Sequence, residues 1–565
     1  MYDYVFQRKD VKRLKEFKSK QSSILKKIKR HIPKKKRYLT QHSFNKGTVR
    51  ITKPGIYVLK ENITFAPNQD NDFRPYKFDP KYTSKAYSLG FFAAIAIESD
   101  GVEIDLNGYT LQQGENMAWM QRFYANIETA STPFIPGQGP GNFGDSITSN
   151  KYIYIHNGTL GRSSHHAIHG NGNKYLWISD VKMVDYEFVG SAINGGHYIV
   201  HKNCKILHNF KNLKVLATWS AALFAQQFAD NLLEKMENNN SPLIDEFRQR
   251  RNRLQIVINQ TKKELFSGRP ISNSLFRNNK LIADGNVYGI LTHPLGVAVH
   301  GFTDDNDMND KKYASYFYVD NCEIRDLEAD VDEVVSFMDS DGVVMKGPSG
   351  DLLKLTDCMT ENGYYRGNEI SDLIMGLAKM KRIYPHLNYG TLNISDDVLD
   401  WSEGKITHFQ LINRGYEFLT GQDSMGHTRK GVLGIRVDGT KNVFISHNTI
   451  NNIQNQGRLE SGYNSISSKI YLGTITSGIH ISQAKNVWVT DTLISNIRSY
   501  YGEATGIKGI NHSTLYIFHC DIRSILAEEP YQKEERDHDK TVEYNKMPTA
   551  KGLYCSYDSK IRFEG

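Results

Sequence analysis

The chain has 565 residues, a formal net charge of +8, 39% apolar residues, 45 Gly and 32 Tyr. Many glycines and tyrosines with short β-branched runs lean towards β structure. There is no apolar run of about 18 residues to span a membrane, and the start MYDYVFQRKD lacks the apolar core of a secretory signal peptide.

Charge is concentrated in the first predicted element. Residues 8–37 hold 15 Lys/Arg against Asp10 and Glu16, a net +13, which leaves the remainder at about −5. Within residues 1–46, Val11, Leu14, Phe17, Ile24, Leu25, Ile28 and Ile32 recur at helical spacing until Pro33 stops the pattern. The pattern predicts a basic amphipathic helix that folds fully against a partner. Its partner-binding residues would be Lys12, Arg13, Lys26, Lys27, Lys29, Arg30, Lys34, Lys35, Lys36 and Arg37. A neighbouring subunit, an anionic membrane surface and nucleic acid all suit such an arm. The ordinary alternative is a solvated arm with no partner.

From residue 47 a different spacing takes over. An apolar residue, a second two positions on and a third seven positions after the first occur as Ile104/Leu106/Leu111, Ile153/Ile155/Leu160 and Leu176/Ile178/Met183. The spacing returns as Phe317/Val319/Ile324, Val443/Ile445/Ile450, Val487/Val489/Ile494 and Leu515/Ile517/Ile522. Three residues before each last member stands Gly108, Asn157, Asp180, Asn321, His447, Asp491 or His519, residue types that tolerate positive φ. Each unit therefore reads as strand, left-handed bend, strand. Gly434, Gly478, Gly506 and Ala167 stand nine residues before a first apolar member, and Ile follows each of them. Units that cannot bury their own apolar faces must stack.

This divides the chain into N-terminal coils (47–210), a helical insertion (211–274), further coils (275–325), an irregular insertion or subdomain (326–430), C-terminal coils (431–525) and a charged C-terminal segment (526–565). Residues 47–65 would start or cap the stack, and 112–145 would form a long loop. SDLIMGLAKMKRIY (371–384) would be a short helix, and GLYCSYDSKIRFEG a final strand pair. The five cysteines form no CxxC pair. Cys204 and Cys322 fall inside coils, where thiols act as small hydrophobes, so a reducing compartment is the simpler expectation.

Units such as GIRVDGTKNVFISHNTINNI and GIHISQAKNVWVTDTLISNI resemble the right-handed parallel β-helix of pectate-lyase-like proteins. The opening GTVRITKPGIYVLKENITFAPN with AIAIESDGVEIDLNGYTL is similar to the uncharacterised β-helix proteins of giant DNA viruses. That resemblance implies a structural protein of a virion, made in the host cytoplasm and assembled with other virion or capsid subunits. A homo-oligomer is also compatible with it.

The alternative is a polysaccharide lyase, a glycoside hydrolase or a glycan-binding protein using a groove on the β-helix. Polygalacturonases would require successive Asn-x-Asp, Asp-Asp, Gly-His-Gly and Arg-x-Lys blocks. Here Asp304-Asp305 and Asp396-Asp397 are isolated, and Tyr198 follows Gly196-His197. The Asp-Pro-His-Asp block of alginate epimerases is absent. Two clusters supply the catalytic candidates: Asp304 and Asp305 in LTHPLGVAVHGFTDDNDMND, and Asp423, His427 and Arg429 in GQDSMGHTRKG. In the first, Asp304, Asp305, Asp307 and Asp310 would suit calcium, without an EF-hand pattern to support it. A solvated loop is the ordinary reading of both. GRSSHHAIHG supplies His165, His166 and His169, expected as outward surface residues. No cofactor beyond calcium is expected.

Overall fold

The computed structural model describes residues 8–73, 76, 79, 92–120, 124–129, 150–186, 189–207, 288–293, 315–329, 335–338, 344–346, 352–358, 361–375, 382–385, 405, 431–455, 475–501, 503–529, 550–556 and 558–564, together with scattered positions between 230 and 259. These residues build a parallel β-helix solenoid whose coils pair in register along three ladders. The first ladder runs from Lys36–Leu39 through Gly55–Leu59, Val102–Asp105 and the leading halves of Lys151–Leu160 and Lys174–Val184. It continues through His197–Lys202, Ser315–Asp320, Glu361–Arg366, Lys441–Ser446, Lys485–Thr490 and Thr514–Phe518 to Lys560–Glu564. The second ladder follows the bend and includes Glu369–Met375, Thr449–Asn455, Leu493–Tyr501 and Asp521–Glu529. The third has 11 strands, from Val49–Ile51 to Ala550–Cys555.

The seven bends lie where the spacing places them. Gly108, Asn157, Asp180, Asn321, His447, Asp491 and His519 have φ of 79, 62, 55, 52, 55, 48 and 49°. All members of the seven triads except Ile522 are at most 1% exposed. Their side chains form one continuous core along the axis. Successive bends also join sideways: Asn321 Nδ2 donates to Asn203 Oδ1 at 2.8 Å, and Asn203 Nδ2 to Asp180 Oδ1 at 3.2 Å.

Gly434, Gly478 and Gly506 stack in register on the third ladder. A Cβ at Gly478 would meet Ile494 Cγ2 at 2.6 Å and the Gly506 carbonyl at 2.9 Å. The fixed offset of these glycines therefore reflects a close backbone approach. Cys204, Cys322 and Cys520 occupy the residue after a bend, each sulfur against a backbone carbonyl at 3.5–3.6 Å. Burial pushes the Cys322 thiol up, and the Cys520 thiol to about 11. Cys204, Cys322, Cys520 and Cys555 are free thiols.

Several boundaries differ from the sequence expectation. The solenoid begins at Lys36, because Lys36–Leu39 pairs with Ile56–Leu59 without any apolar triad to announce it. Residues 112–145 include a short helix (Glu115–Met120) and a third-ladder strand, Tyr124–Glu128. The irregular stretch 326–430 contains a complete coil: Leu352–Cys358, Glu361–Arg366 and Glu369–Met375. Where a helix was expected over 371–384, the described residues are strand: 371–375 extend a second-ladder strand and Arg382–Pro385 pairs with Val335–Met338. The described positions between 230 and 259 are helical, and Arg248–Glu237 and Arg251–Asp230 pairs at 2.9 and 2.5 Å cross-link a hairpin. The final strand pair is present as Ala550–Cys555 and Lys560–Glu564. Among the described residues, no helix is long and apolar enough to cross a membrane.

Candidate functional site

The basic arm is a helix, α1 (Arg8–His31), and its apolar face is covered by the chain's own solenoid. The reason lies in the first ladder. Between the two inward positions of successive first-ladder strands, from Lys151–Leu160 to Lys485–Thr490, stands an outward residue: Tyr154, Trp177, Val200, Tyr318, Tyr364, Phe444 or Trp488. An outward apolar column needs a cover. Phe17, Ile24, Ile28 and Ile32 supply it, each at most 8% exposed. Phe17 lies 5.2 Å from the Phe444 ring and 6.2 Å from Tyr318, while His31 stacks on Tyr152 at 3.7 Å. Since Tyr152 precedes Phe444 in the stack, α1 runs antiparallel to the direction of coiling. The arm, expected to fold fully only against a partner, has its apolar face packed on the chain's own solenoid.

The ten cations assigned to partner binding separate into groups. Lys27 Nζ donates to Tyr175 Oη at 2.8 Å, Lys29 lies over Tyr154, and Arg37 lies over Tyr57 and donates to the Pro54 carbonyl at 3.0 Å. Arg13 is half-buried and partnered. Lys12, Lys26, Arg30, Lys34, Lys35 and Lys36 are exposed, as are Lys15 and Lys18, and none of these eight forms an ion pair within the described residues. Docking α1 thus fixes a cationic crest on a rigid frame. Twenty-four residues of helix span about 36 Å.

A second constellation lies on the outer side of the third ladder. Glu128 and His169 are register partners on adjacent coils. His169 Nδ1 donates to Glu128 Oε2 at 2.6 Å, which leaves Nε2 as an acceptor facing Asn194 Nδ2 at 3.4 Å. Asn194 Nδ2 also donates to Asn171 Oδ1 at 2.9 Å. His165 Nδ1 and His166 Nδ1 lie 2.6 Å apart, within hydrogen-bond distance. His166 and His169 are each 8% exposed, so they are buried rather than surface residues. Sequence distance hid Glu128, which stands 41 positions before His169.

Asp304, Asp305, Asp307, Asp310, Asp423, His427 and Arg429 lie outside the described residues. Among the described residues, no group of three or more His, Cys, Asp or Glu is placed to hold a metal ion.

Parallel β-helix is the class that these ladders define. No family model and no curated protein matches the chain. Two solved structures of PfbA, a surface adhesin of Streptococcus pneumoniae, are similar at 9% identity. One covers 90% of this chain and 88% of its own with a TM-score of 0.28; the other covers 94% of each with a TM-score of 0.27. At those scores the likeness carries no argument about function. The giant-virus resemblance of the opening strands has no counterpart in these matches.

Proposed function

We propose that the chain is a structural binding scaffold that docks through the cationic crest of α1 onto an acidic protein surface, as a subunit of a larger particle would. One observation carries this reading: Lys12, Lys15, Lys18, Lys26 and Arg30 on α1, with Lys34, Lys35 and Lys36 just beyond it, are exposed and form no ion pair among the described residues, while the helix's other face is already seated. A seated helix loses little further conformational entropy when its crest engages a partner. Complementary charge mainly steers encounter and responds to salt. Immobilised poly-glutamate is a suitable probe. The triple variant Lys26→Glu/Arg30→Glu/Lys34→Glu is expected to bind it about 10-fold or more weakly than the native chain. Binding unchanged by this reversal, or indifferent to salt, would sink the proposal.

A second reading, a polysaccharide-active enzyme, is favoured by the Glu128–His169 pair alone. A carboxylate that holds an imidazole in one tautomer suits general-base work. It predicts new reducing ends or unsaturated products from a polysaccharide panel, lost on Glu128→Gln with the fold intact. An inactive native chain across that panel would count against this reading.

A further inference from the structure

Four tyrosines occupy a backbone conformation that bulky residues avoid. Tyr152, Tyr175, Tyr198 and Tyr316 open successive first-ladder strands at φ of 62, 62, 61 and 58°. The same bend in later coils is made by Asn442 and Asn486 at 60 and 57°, with Asn486 Nδ2 donating to Asn442 Oδ1 at 3.1 Å. Asparagine adopts this region at little cost, whereas tyrosine does so under strain. Strain kept four times over, where the same fold accepts asparagine, points to a role for the side chain.

The rings form a rail. Their centroids are spaced 5.3, 4.7 and 5.0 Å apart with planes within 10°, and His31 closes one end. All four tyrosines remain partly exposed. Lys20 Nζ, which also pairs with Glu16 at 2.8 Å, donates to Tyr316 Oη at 2.5 Å, and Lys27 Nζ donates to Tyr175 Oη at 2.8 Å, so both phenols keep a proton to donate. The Tyr152 and Tyr198 hydroxyls make no hydrogen bond to described residues. Burial, then the flanking tyrosines, push the Tyr198 phenol up, so it is protonated at neutral pH. Directly before the first two tyrosines stand Lys151 and Lys174, which are register neighbours, exposed and without an ion pair among the described residues.

We infer that this rail, with Lys20 and Lys27 hydrogen-bonded to it and Lys151 and Lys174 one residue before its first two rings, binds a linear sulfated polysaccharide lying along the solenoid axis. Phenol donors recur once per coil, roughly every 4.8 Å, with ammonium groups beside them. The four cations are all lysines. The planar fork with which arginine pairs carboxylates bidentately is missing, and a sulfate ester is served equally well by point charges. The ring faces are closed on one another, so bases of a single-stranded nucleic acid have no platform to stack on. The site is separate from the crest of α1 and does not rest on the docking reading.

Calorimetric titration of the full chain with dextran sulfate oligomers tests this, with dextran, polygalacturonate and oligo-dT as comparators. Dextran sulfate is expected to bind, and to weaken about 10-fold or more between 50 and 200 mM salt. Tyr198→Phe, which removes only a hydroxyl, should weaken binding about 3- to 10-fold. Lys151→Glu/Lys174→Glu should weaken it more than about 10-fold, and by more than the same two charge reversals at Lys26 and Arg30 on the crest. Equal binding of polygalacturonate or oligo-dT, full binding by the rail variants, or no binding of dextran sulfate would each overturn the assignment.

Discussion

Phe17→Ala should release α1 from the flank of the solenoid without unfolding the solenoid. Phe17 is 2% exposed, and its ring lies 5.2–6.4 Å from Tyr316, Tyr318, Tyr364 and Phe444. Truncating a buried phenylalanine costs about 3–5 kcal/mol. Here that loss falls on the docking of one helix, because the coil core lies on the other side of the first ladder. A detached helix this rich in lysine is marginal on its own. Limited trypsin digestion reads the outcome: slow cleavage within 8–37 in the native chain, and cleavage faster by an order of magnitude or more in the variant. Tryptophan emission should shift to the red as Trp177 and Trp488, 6% and 1% exposed, meet water. Rapid cleavage of the native arm, unaltered by Phe17→Ala, would show that α1 needs an outside partner after all.

The triads were legible because both inward positions are apolar and the bend between them is restricted to Gly, Asn, Asp and His. The coil Ile199/His201/Ile206, with its bend at Asn203, escaped because His201 replaces the second apolar member. The coil at 361–375 escaped because Gly363 takes the first position and Tyr365 the second. Each coil keeps its register through backbone pairing, which constrains side-chain chemistry only loosely.

The seat of α1 was written more faintly. A helical apolar stripe says that something covers it, not what. The complement was present as Tyr-x-Tyr, Tyr-x-Trp and Tyr-x-Tyr at 152–154, 175–177 and 316–318, where an outward aromatic recurs in a strand whose inward residues are already counted. An outward apolar column in a solenoid needs a lid, and an amphipathic helix with an apolar stripe of matching length stood at residues 8–31. Glu128 and His169 could not be joined in this way. Loops inserted at the coil corners set their sequence separation, and only the third-ladder register brings them together.

Acid should destabilise this fold through His201, and the sign is fixed by where that side chain sits. His201 points into the core, fully buried, with Nε2 2.8 Å from Ser191 Oγ. Burial lowers its pKa from 6.5 to about 3. Between those two values the unfolded chain binds a proton that the folded chain refuses, so stability falls as pH falls through that window. The full slope for one group is about 1.4 kcal/mol per pH unit and is reached only below pH 6.5, so lowering the pH from 6.5 to 4.5 should cost about 2 kcal/mol. Carboxylates and other histidines add their own terms, which a paired variant cancels. His201→Leu alone would strand the Ser191 hydroxyl, a loss of about 1–3 kcal/mol, so His201→Leu/Ser191→Ala is the informative protein. Urea unfolding at pH 7.5 and 4.5 should show the native chain losing about 2–3 kcal/mol more than the double variant. An equal loss in both would mean that His201 is not held neutral by the core. The opposite difference would mean that the folded state stabilises its charged form, contrary to its place among Ile178, Phe317 and Val319.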